Sequence, residues 1–191
     1  MEDPIEVLIT LPFSDELMKK ITNISPRIVV ENIVARKADD INDEMWKKVE
    51  VLYTNRALPT PEQAPSLRWI QFHWAGFDHA LEEPILRREG MNITSMSGAS
   101  ASQLAEHAVL MMLALGHHIP ELFAQQRKAE WPSGRWELFT PHELRGSTVG
   151  IVGYGSIGRQ IARLLQTFGA KVLATKRDIR HPEDTGYTVE G

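Results

Sequence analysis

The stretch Val149-Gly150-Ile151-Val152-Gly153-Tyr154-Gly155-Ser156-Ile157-Gly158 decides the fold of this 191-residue chain. Gly153, Gly155 and Gly158 have the spacing G-x-G-x-x-G, which is weak evidence when it stands alone. Here a β-branched strand precedes the glycines, and the pattern predicts an amphipathic helix over Arg159–Phe168. A strand, a glycine-rich turn and a helix in this order form the context that a dinucleotide-binding fingerprint requires. The stretch therefore predicts the first βαβ part of a Rossmann dinucleotide-binding domain.

Each glycine of the fingerprint has its own chemical reason. Gly153 permits the tight turn, Gly155 lets the backbone approach the pyrophosphate, and Gly158 allows close packing of helix on strand. The backbone N–H groups of Ser156 and Ile157 lie at the start of the helix, where we expect them to hold the phosphates. The alternative is a glycine-rich turn that binds nothing, and the flanking strand and helix disfavour it.

The choice of dinucleotide is read from the end of the second strand. Gly169 is predicted to end the helix, and Lys171–Thr175 is predicted to form that strand. A carboxylate after this strand bonds the ribose 2′-hydroxyl of NAD, whereas an arginine there accommodates the 2′-phosphate of NADP. Lys176 and Arg177 follow the strand, so the sequence favours NADP over NAD. In the alternative, both cations are solvated and Asp178 reaches the ribose of NAD.

The first hundred residues alternate short apolar runs with helical patterns. Ser14 before two acidic residues predicts a helix after the first strand, and Thr60 before Pro61 predicts another short helix. Strands that alternate with helices indicate a parallel sheet covered by helices, which is an α/β fold. The predicted strands are Val7–Thr10, Ile28–Val30, Val49–Tyr53, Trp69–Phe72 and Asn92–Thr94.

A long apolar helix is predicted next, over Ala101–Leu115. Ser100 and Gln103 have the spacing of a capping box at its start. A helix that is apolar nearly all round should be buried on most sides, for example between two domains. Pro120 is expected to end or kink it. The segment Trp131–Trp136 then carries two tryptophans, which either pack on a partner subunit or seal the loop of their own chain.

Composition excludes several classes of protein. With 21 basic and 25 acidic side chains the net charge is −4, which gives no basic footprint for nucleic acid. The chain has no Cys, and no two of its seven His have the i, i+4 spacing of a helical metal site, so we predict no bound metal. The apolar stretch Ala108–Leu115 is far shorter than the ~20 residues of a membrane crossing. The acidic start lacks a secretion signal, so a cytoplasmic protein without a membrane partner is expected.

Three stretches, in this order, resemble the D-isomer-specific 2-hydroxyacid dehydrogenases: Leu67–Asp78, Gly98–His107 and Glu143–Val172. The resemblance implies a flavodoxin-like substrate domain over residues 1–99. An interdomain helix and the N-terminal part of the dinucleotide-binding domain would follow over residues 100–191. It further implies an NAD(P)-dependent oxidoreductase that interconverts a 2-oxo acid and a 2-hydroxy acid by hydride transfer, and that works as a homodimer.

The same resemblance assigns roles outside the fingerprint. The backbone N–H groups of Ala75 and Gly76 would bind the substrate carboxylate, and Leu104 would pack against the nicotinamide. From the residues alone, a segment such as Ala75-Gly76 is more often just a turn, and Leu104 is equally a core residue. No residue of the chain matches the family's catalytic Arg, Glu and His. We therefore expect a truncated or partial enzyme that is inactive alone; the alternatives are a non-catalytic nucleotide-binding or oligomerisation module and an inactive remnant.

Overall fold

The structure is a computed structural model, and it describes residues 3–177. Asp178, the alternative ribose-binding residue, lies outside the described residues. The chain divides into two compact units, residues 1–97 and residues 98–191, close to the boundary expected after residue 99. Each unit has a hydrophobic core of its own, and the two cores share no residue.

The first unit is built on a parallel sheet of five strands in the order β2-β1-β3-β4-β5. Leu8, Leu52 and Ile70 lie side by side across the central strands and are fully buried. This strand order is that of the flavodoxin-like doubly wound fold, so the predicted fold class is confirmed. The strands are β1 (Ile5–Ile9), β2 (Ile28–Asn32), β3 (Val51–Thr54), β4 (Trp69–Phe72) and β5 (Asn92–Ser95).

Two helices of the first unit begin at polar caps. Helix α1 (Asp15–Thr22) begins after Ser14, whose hydroxyl accepts the N–H of Leu17, as predicted. Helix α2 (Asp43–Lys48) begins after Asn42, which caps it in the same way. Short 3₁₀ turns at residues 38–40, 78–80 and 84–87 complete the connections.

The helix predicted at Thr60 is absent, so that prediction is wrong. Residues 61–63 form a turn, although the capping interactions exist: Thr60 N–H donates to Gln63 and Gln63 N–H donates to Thr60, at 2.9 and 3.3 Å. Pro65 explains the outcome, because it supplies no N–H to a growing helix and disfavours the helical conformation at Ala64 before it.

The second unit contains the predicted βαβ element. It consists of β6 (Thr148–Val152), α6 (Ser156–Thr167) and β7 (Lys171–Thr175), and β6 pairs in parallel with β7. Helix α6 begins three residues before the predicted start, because Gly155 is already its N-cap residue. Three further helices precede this element: α3 (Ala101–Gly116), α4 (Ile119–Lys128) and α5 (Arg135–Leu138).

Helix α3 is less buried than its composition predicts. Ala101, Ala105 and Val109 recur every four residues, are buried, and form the face beside α6. The larger side chains of Leu110 and Leu115 point away and are 56% and 67% exposed. The expectation of burial on most sides is therefore wrong for the described residues of this single chain, because small residues form the covered face and large ones the open face.

The ends of α3 also differ from the sequence prediction. Ser100 makes no side-chain cap, so the capping box is absent. The helix ends at Gly116, where a Cβ would lie only 2.9 Å from the carbonyl oxygen of His142. His118 then takes a left-handed conformation, and Pro120 lies in the first turn of α4 rather than at the end of α3. The chain therefore turns at residues 117–118, and the proline starts the next helix.

Trp131 and Trp136 are 68% and 77% exposed, so they do not seal the loop of their own chain. The guanidinium of Arg135 lies 5.4 and 5.2 Å from the centroids of the two indoles. This contact holds the two rings around one cation and leaves most of their area uncovered. Within residues 3–177, none of the helices is long and apolar enough to cross a membrane.

Candidate functional site

The glycine-rich turn of the second unit is fixed by backbone hydrogen bonds. Gly153 has a φ of +98°, a conformation that costs glycine little and strains other residues. The N–H groups of Gly153 and Tyr154 both donate to the carbonyl oxygen of Thr175, at 3.1 and 2.9 Å. The turn is therefore attached to the carboxyl end of β7.

The turn leads directly into the N-terminus of α6. Gly155 is extended, with φ −89° and ψ −156°, and its carbonyl oxygen accepts the N–H of Arg159 at 3.0 Å. The first N–H groups of a helix, here including those of Ser156 and Ile157, find no carbonyl within the helix and carry partial positive charge. A Cβ added at Gly155 would meet no atom within 4 Å. Open space and unpaired donors at one helix end suit a phosphate group.

Gly158 brings the helix against the strand. A Cβ there would lie closer to the carbonyl oxygen of Gly153 than real Cβ atoms approach, and 3.2 Å from Cγ2 of Ile151. Gly158 is itself buried. The close helix–strand packing expected of the third glycine is therefore present in the structure.

The far end of α6 closes as predicted. Gly169 has a φ of +75°, Ala170 N–H donates to Leu165 at 3.2 Å, and Gly169 N–H donates to Gln166 at 2.9 Å. These two bonds form the Schellman arrangement that ends a helix at a glycine. Strand β7 follows, and Lys176 and Arg177 are exposed directly after it. Because the carbonyl oxygen of Thr175 also accepts the N–H groups of the glycine-rich turn, both cations lie at the carboxyl end of β7, close to the turn.

Leu104 belongs to the same unit and is 48% exposed on α3, so it is not a core residue. Gly98, just before this helix, would place a Cβ 3.8 Å from the Cβ of Ser156. The start of α3 therefore lies beside the start of α6. The contact between Leu104 and a nicotinamide stays a prediction.

In the first unit, Ala75 and Gly76 follow β4 in an exposed turn. The hydroxyl of Ser95 donates to the carbonyl of Ala75 at 3.0 Å, and Met96 N–H donates to the carbonyl of Trp74 at 3.2 Å. Within residues 3–177 the N–H groups of Ala75 and Gly76 donate to no other group. The turn is held through its carbonyls, and its two adjacent N–H donors have no acceptor among the described residues.

Two histidines also lie at the carboxyl end of this sheet. Nδ1 of His73 is 2.8 Å from the hydroxyl of Tyr53, and Nε2 of His79 is 2.7 Å from the carbonyl oxygen of Asn55. Burial raises the pKa of Tyr53 above its ordinary value, so the phenol stays protonated at neutral pH. Sequence reasoning missed Tyr53, although parallel strands bring their carboxyl ends together and its place at the end of β3 was a usable signal. Among the described residues, no group of three or more His, Asp or Glu is placed to hold a metal ion.

Comparison with known proteins agrees with this arrangement. Residues 109–190 match the family model described as D-isomer specific 2-hydroxyacid dehydrogenase, NAD binding domain. These residues resemble the NAD-binding domain of the D-isomer-specific 2-hydroxyacid dehydrogenase family. It is 33% identical over 126 residues to a glyoxylate reductase of Thermococcus litoralis, covering 64% of this chain and 38% of that relative. It is 29% identical over 139 residues to a hydroxypyruvate reductase of Thermotoga maritima, covering 69% and 44%. The matches thus span well under two thirds of these relatives.

Two solved oxidoreductase structures share the fold. A phosphoglycerate oxidoreductase from Rhizobium etli superposes with a TM-score of 0.73 at 19% identity, over 98% of this chain and 61% of that one. A D-lactate dehydrogenase from Aquifex aeolicus, solved with NAD and lactic acid, gives 0.67 at 21% identity, over 97% and 55%. At these identities the likeness concerns the fold.

Proposed function

We propose that the chain is part of an NAD(P)-dependent oxidoreductase that interconverts a 2-oxo acid and a 2-hydroxy acid by hydride transfer. The observation that carries the proposal is the glycine-rich turn at the start of α6, with open space at Gly155, in a chain that resembles this dehydrogenase family. The bound nicotinamide would supply or accept the hydride. The N–H groups of Ser156 and Ile157 would hold the pyrophosphate, Gly153 and Gly158 would shape the turn, and Leu104 would pack against the nicotinamide.

The substrate carboxylate is assigned to Ala75 and Gly76. Two adjacent N–H groups without an acceptor can bind a carboxylate, and the bonds made by Ser95 and Met96 hold the turn before a ligand binds. A fixed anion site orients the neighbouring carbonyl group of a 2-oxo acid, whose carbon atom must accept the hydride.

No residue of the 191 matches the family's catalytic Arg, Glu and His, so we expect these residues alone to bind ligands without turnover. A non-catalytic nucleotide-binding or oligomerisation module is the second candidate, and the uncovered apolar side chains of α3 favour it. The proposal includes a homodimer formed through residues 101–141. A cytoplasmic location stays a prediction from the sequence.

Gly155→Ala tests the phosphate-binding role. The added methyl meets no protein atom, so we expect an unchanged unfolding temperature. The methyl would occupy the space assigned to the pyrophosphate, so NADH should bind at least about tenfold more weakly, roughly 1.4 kcal/mol. Gly150→Ala is the matched control, because a Cβ there also meets nothing within 4 Å but lies within β6. Calorimetric titration with NADH measures the affinity of both variants and of the wild type. Equal affinity in Gly155→Ala and the wild type contradicts the proposal.

The cofactor choice is proposed as NADP, with NAD as the alternative. Lys176 and Arg177 add two positive charges at the edge where the ribose 2′-phosphate would lie. The family model is described as NAD binding, so NADH is the competing ligand. We expect NADPH to bind the wild-type chain more tightly than NADH, and the difference to shrink as salt is raised. Titration with NADPH and with NADH at two salt concentrations distinguishes the two cofactors. Equal or tighter binding of NADH rejects the NADP assignment.

A further inference from the structure

A cavity of about 850 Å³ opens at the carboxyl end of the first unit's sheet. It lies where β1 and β3 are neighbours, the point at which the strand order of this sheet reverses. Open α/β sheets bind their ligands at such switch points. The lining comes from the loops that follow β1, β2, β3 and β4, and none of the functions assigned above uses it. Its polar and aromatic lining includes Thr10, Arg36, Lys37, Asn55, Arg56 and Trp74.

The lining is positively charged. The lining contains three cations, Arg36, Lys37 and Arg56, and one carboxylate, that of Glu83. Asp40 does not line the cavity; its carboxylate accepts the backbone N–H groups of Arg36 and Lys37, at 3.0 Å each. These hydrogen bonds hold the pKa of Asp40 below its usual value, so the group stays ionised and fixes the backbone that carries the two cations.

Arg56 contacts an aromatic ring of the cavity lining. Its guanidinium lies 5.4 Å from the centroid of the Trp74 ring, which packs edge-on against the ring of His79 at 5.5 Å. His79 is in turn 2.7 Å from the carbonyl oxygen of Asn55. A guanidinium stacked on an indole keeps its N–H edge free, and that edge matches two oxygens of a carboxylate or phosphate.

Asn55 adds a second kind of contact. Its side-chain oxygen Oδ1 is buried and has no hydrogen-bond partner among the described residues. Thr10 cannot supply the donor, because its hydroxyl is 2.7 Å from the hydroxyl of Thr54. An unpaired buried acceptor favours a ligand that brings an O–H or N–H group.

We propose that this cavity binds the oxyanion of a small hydroxylated molecule, with Arg56 as its principal contact and Arg36 and Lys37 as supporting charges. Trp74 lines the cavity and directly precedes Ala75 and Gly76. A ligand whose carboxylate lies at that turn therefore has the cavity as its neighbour. Resting on the proposed function, the substrate is a 2-oxo or 2-hydroxy acid that carries a second anionic group, either a phosphate or a carboxylate.

The test uses the 191-residue chain in the absence of dinucleotide. The probe that is added is inorganic phosphate. The signal is the indole N–H resonance of Trp74, assigned by its loss in Trp74→Phe. We expect a saturable shift with phosphate and none with chloride at the same ionic strength. A second titration, with malonate in place of phosphate, distinguishes the two possible anionic groups of the substrate. Tighter binding of phosphate indicates a phosphorylated acid, and tighter binding of malonate indicates a dicarboxylic acid.

Arg56→Gln should weaken phosphate binding at least about tenfold, and Arg36→Gln should weaken it less. Lys48→Gln removes an exposed cation of α2 that does not line the cavity, so it should leave binding unchanged. Unsaturable shifts, or equal affinity in Arg56→Gln and Lys48→Gln, overturn the inference. Phosphate binding is measured without dinucleotide, and NADH binding is measured in a separate titration. If phosphate does not bind but NADH does, this inference alone is rejected. Phosphate binding without dinucleotide binding rejects the proposed function instead.

Discussion

Gly158→Ala is expected to destabilise the second unit by at least about 2 kcal/mol and to abolish dinucleotide binding with it. The new Cβ would overlap the carbonyl oxygen of Gly153 and crowd Cγ2 of Ile151 at 3.2 Å. Overpacking costs about 1–3 kcal/mol and occasionally more, and a backbone carbonyl fixed in a turn yields less than a side chain. Alanine gains about 1 kcal/mol of helix propensity over glycine, which does not offset an overlap of this severity.

Hydrogen exchange of the β6 and β7 amides measures this effect within the second unit. Gly150→Ala is the control here as well, since its Cβ lies in open space. We expect faster exchange in Gly158→Ala and wild-type rates in Gly150→Ala. Wild-type exchange rates in Gly158→Ala would show that α6 can move away from β6, and that the close approach is not a requirement of the fold.

Much of the fold follows from local pattern. Strands β4 and β7 lie where the apolar runs place them, and Ser14 and Gly169 mark helix ends because each acts through its own neighbours in sequence. The helix at Thr60 failed because a cap starts a helix only if the following residues can continue it, and Pro65 cannot. The burial of α3 failed for another reason: composition shows that a helix is apolar, but not which of its faces a single chain covers.

The candidate site divides in the same way. The roles of Gly153, Gly155 and Gly158 concern their own backbone, so spacing and flanking strand and helix are enough to predict them. The cavity of the first unit could not be predicted, because Arg36, Arg56 and Trp74 follow three different strands. They meet only in the folded sheet, where β1 lies between β2 and β3. The charged site is therefore formed by the pairing of strands that are distant in sequence, and no local sequence motif predicts it.

The exposed apolar side chains of α3 and its neighbours lead to the second large expected effect, on the oligomeric state. Met111 and Leu115 lie one turn apart on the same side of the helix and are 42% and 67% exposed. Phe123, Trp131 and Trp136 add uncovered aromatic area in the same unit. Exposed apolar patches often mark interaction sites on a protein surface, and the proposed homodimer would cover these side chains with a second copy.

Leu115→Glu is expected to weaken dimerisation at least about tenfold, because a carboxylate would be buried in an apolar contact without a partner. Light scattering coupled to size-exclusion chromatography, over a range of protein concentrations, measures the shift from dimer to monomer. Leu17→Glu is the matched control: this leucine is 44% exposed, but on α1 of the first unit. Trp136→Ala, which removes an indole that is 77% exposed, should also favour the monomer. A monomeric wild type, or a dimer that survives both Leu115→Glu and Trp136→Ala, rejects a homodimer formed through this surface.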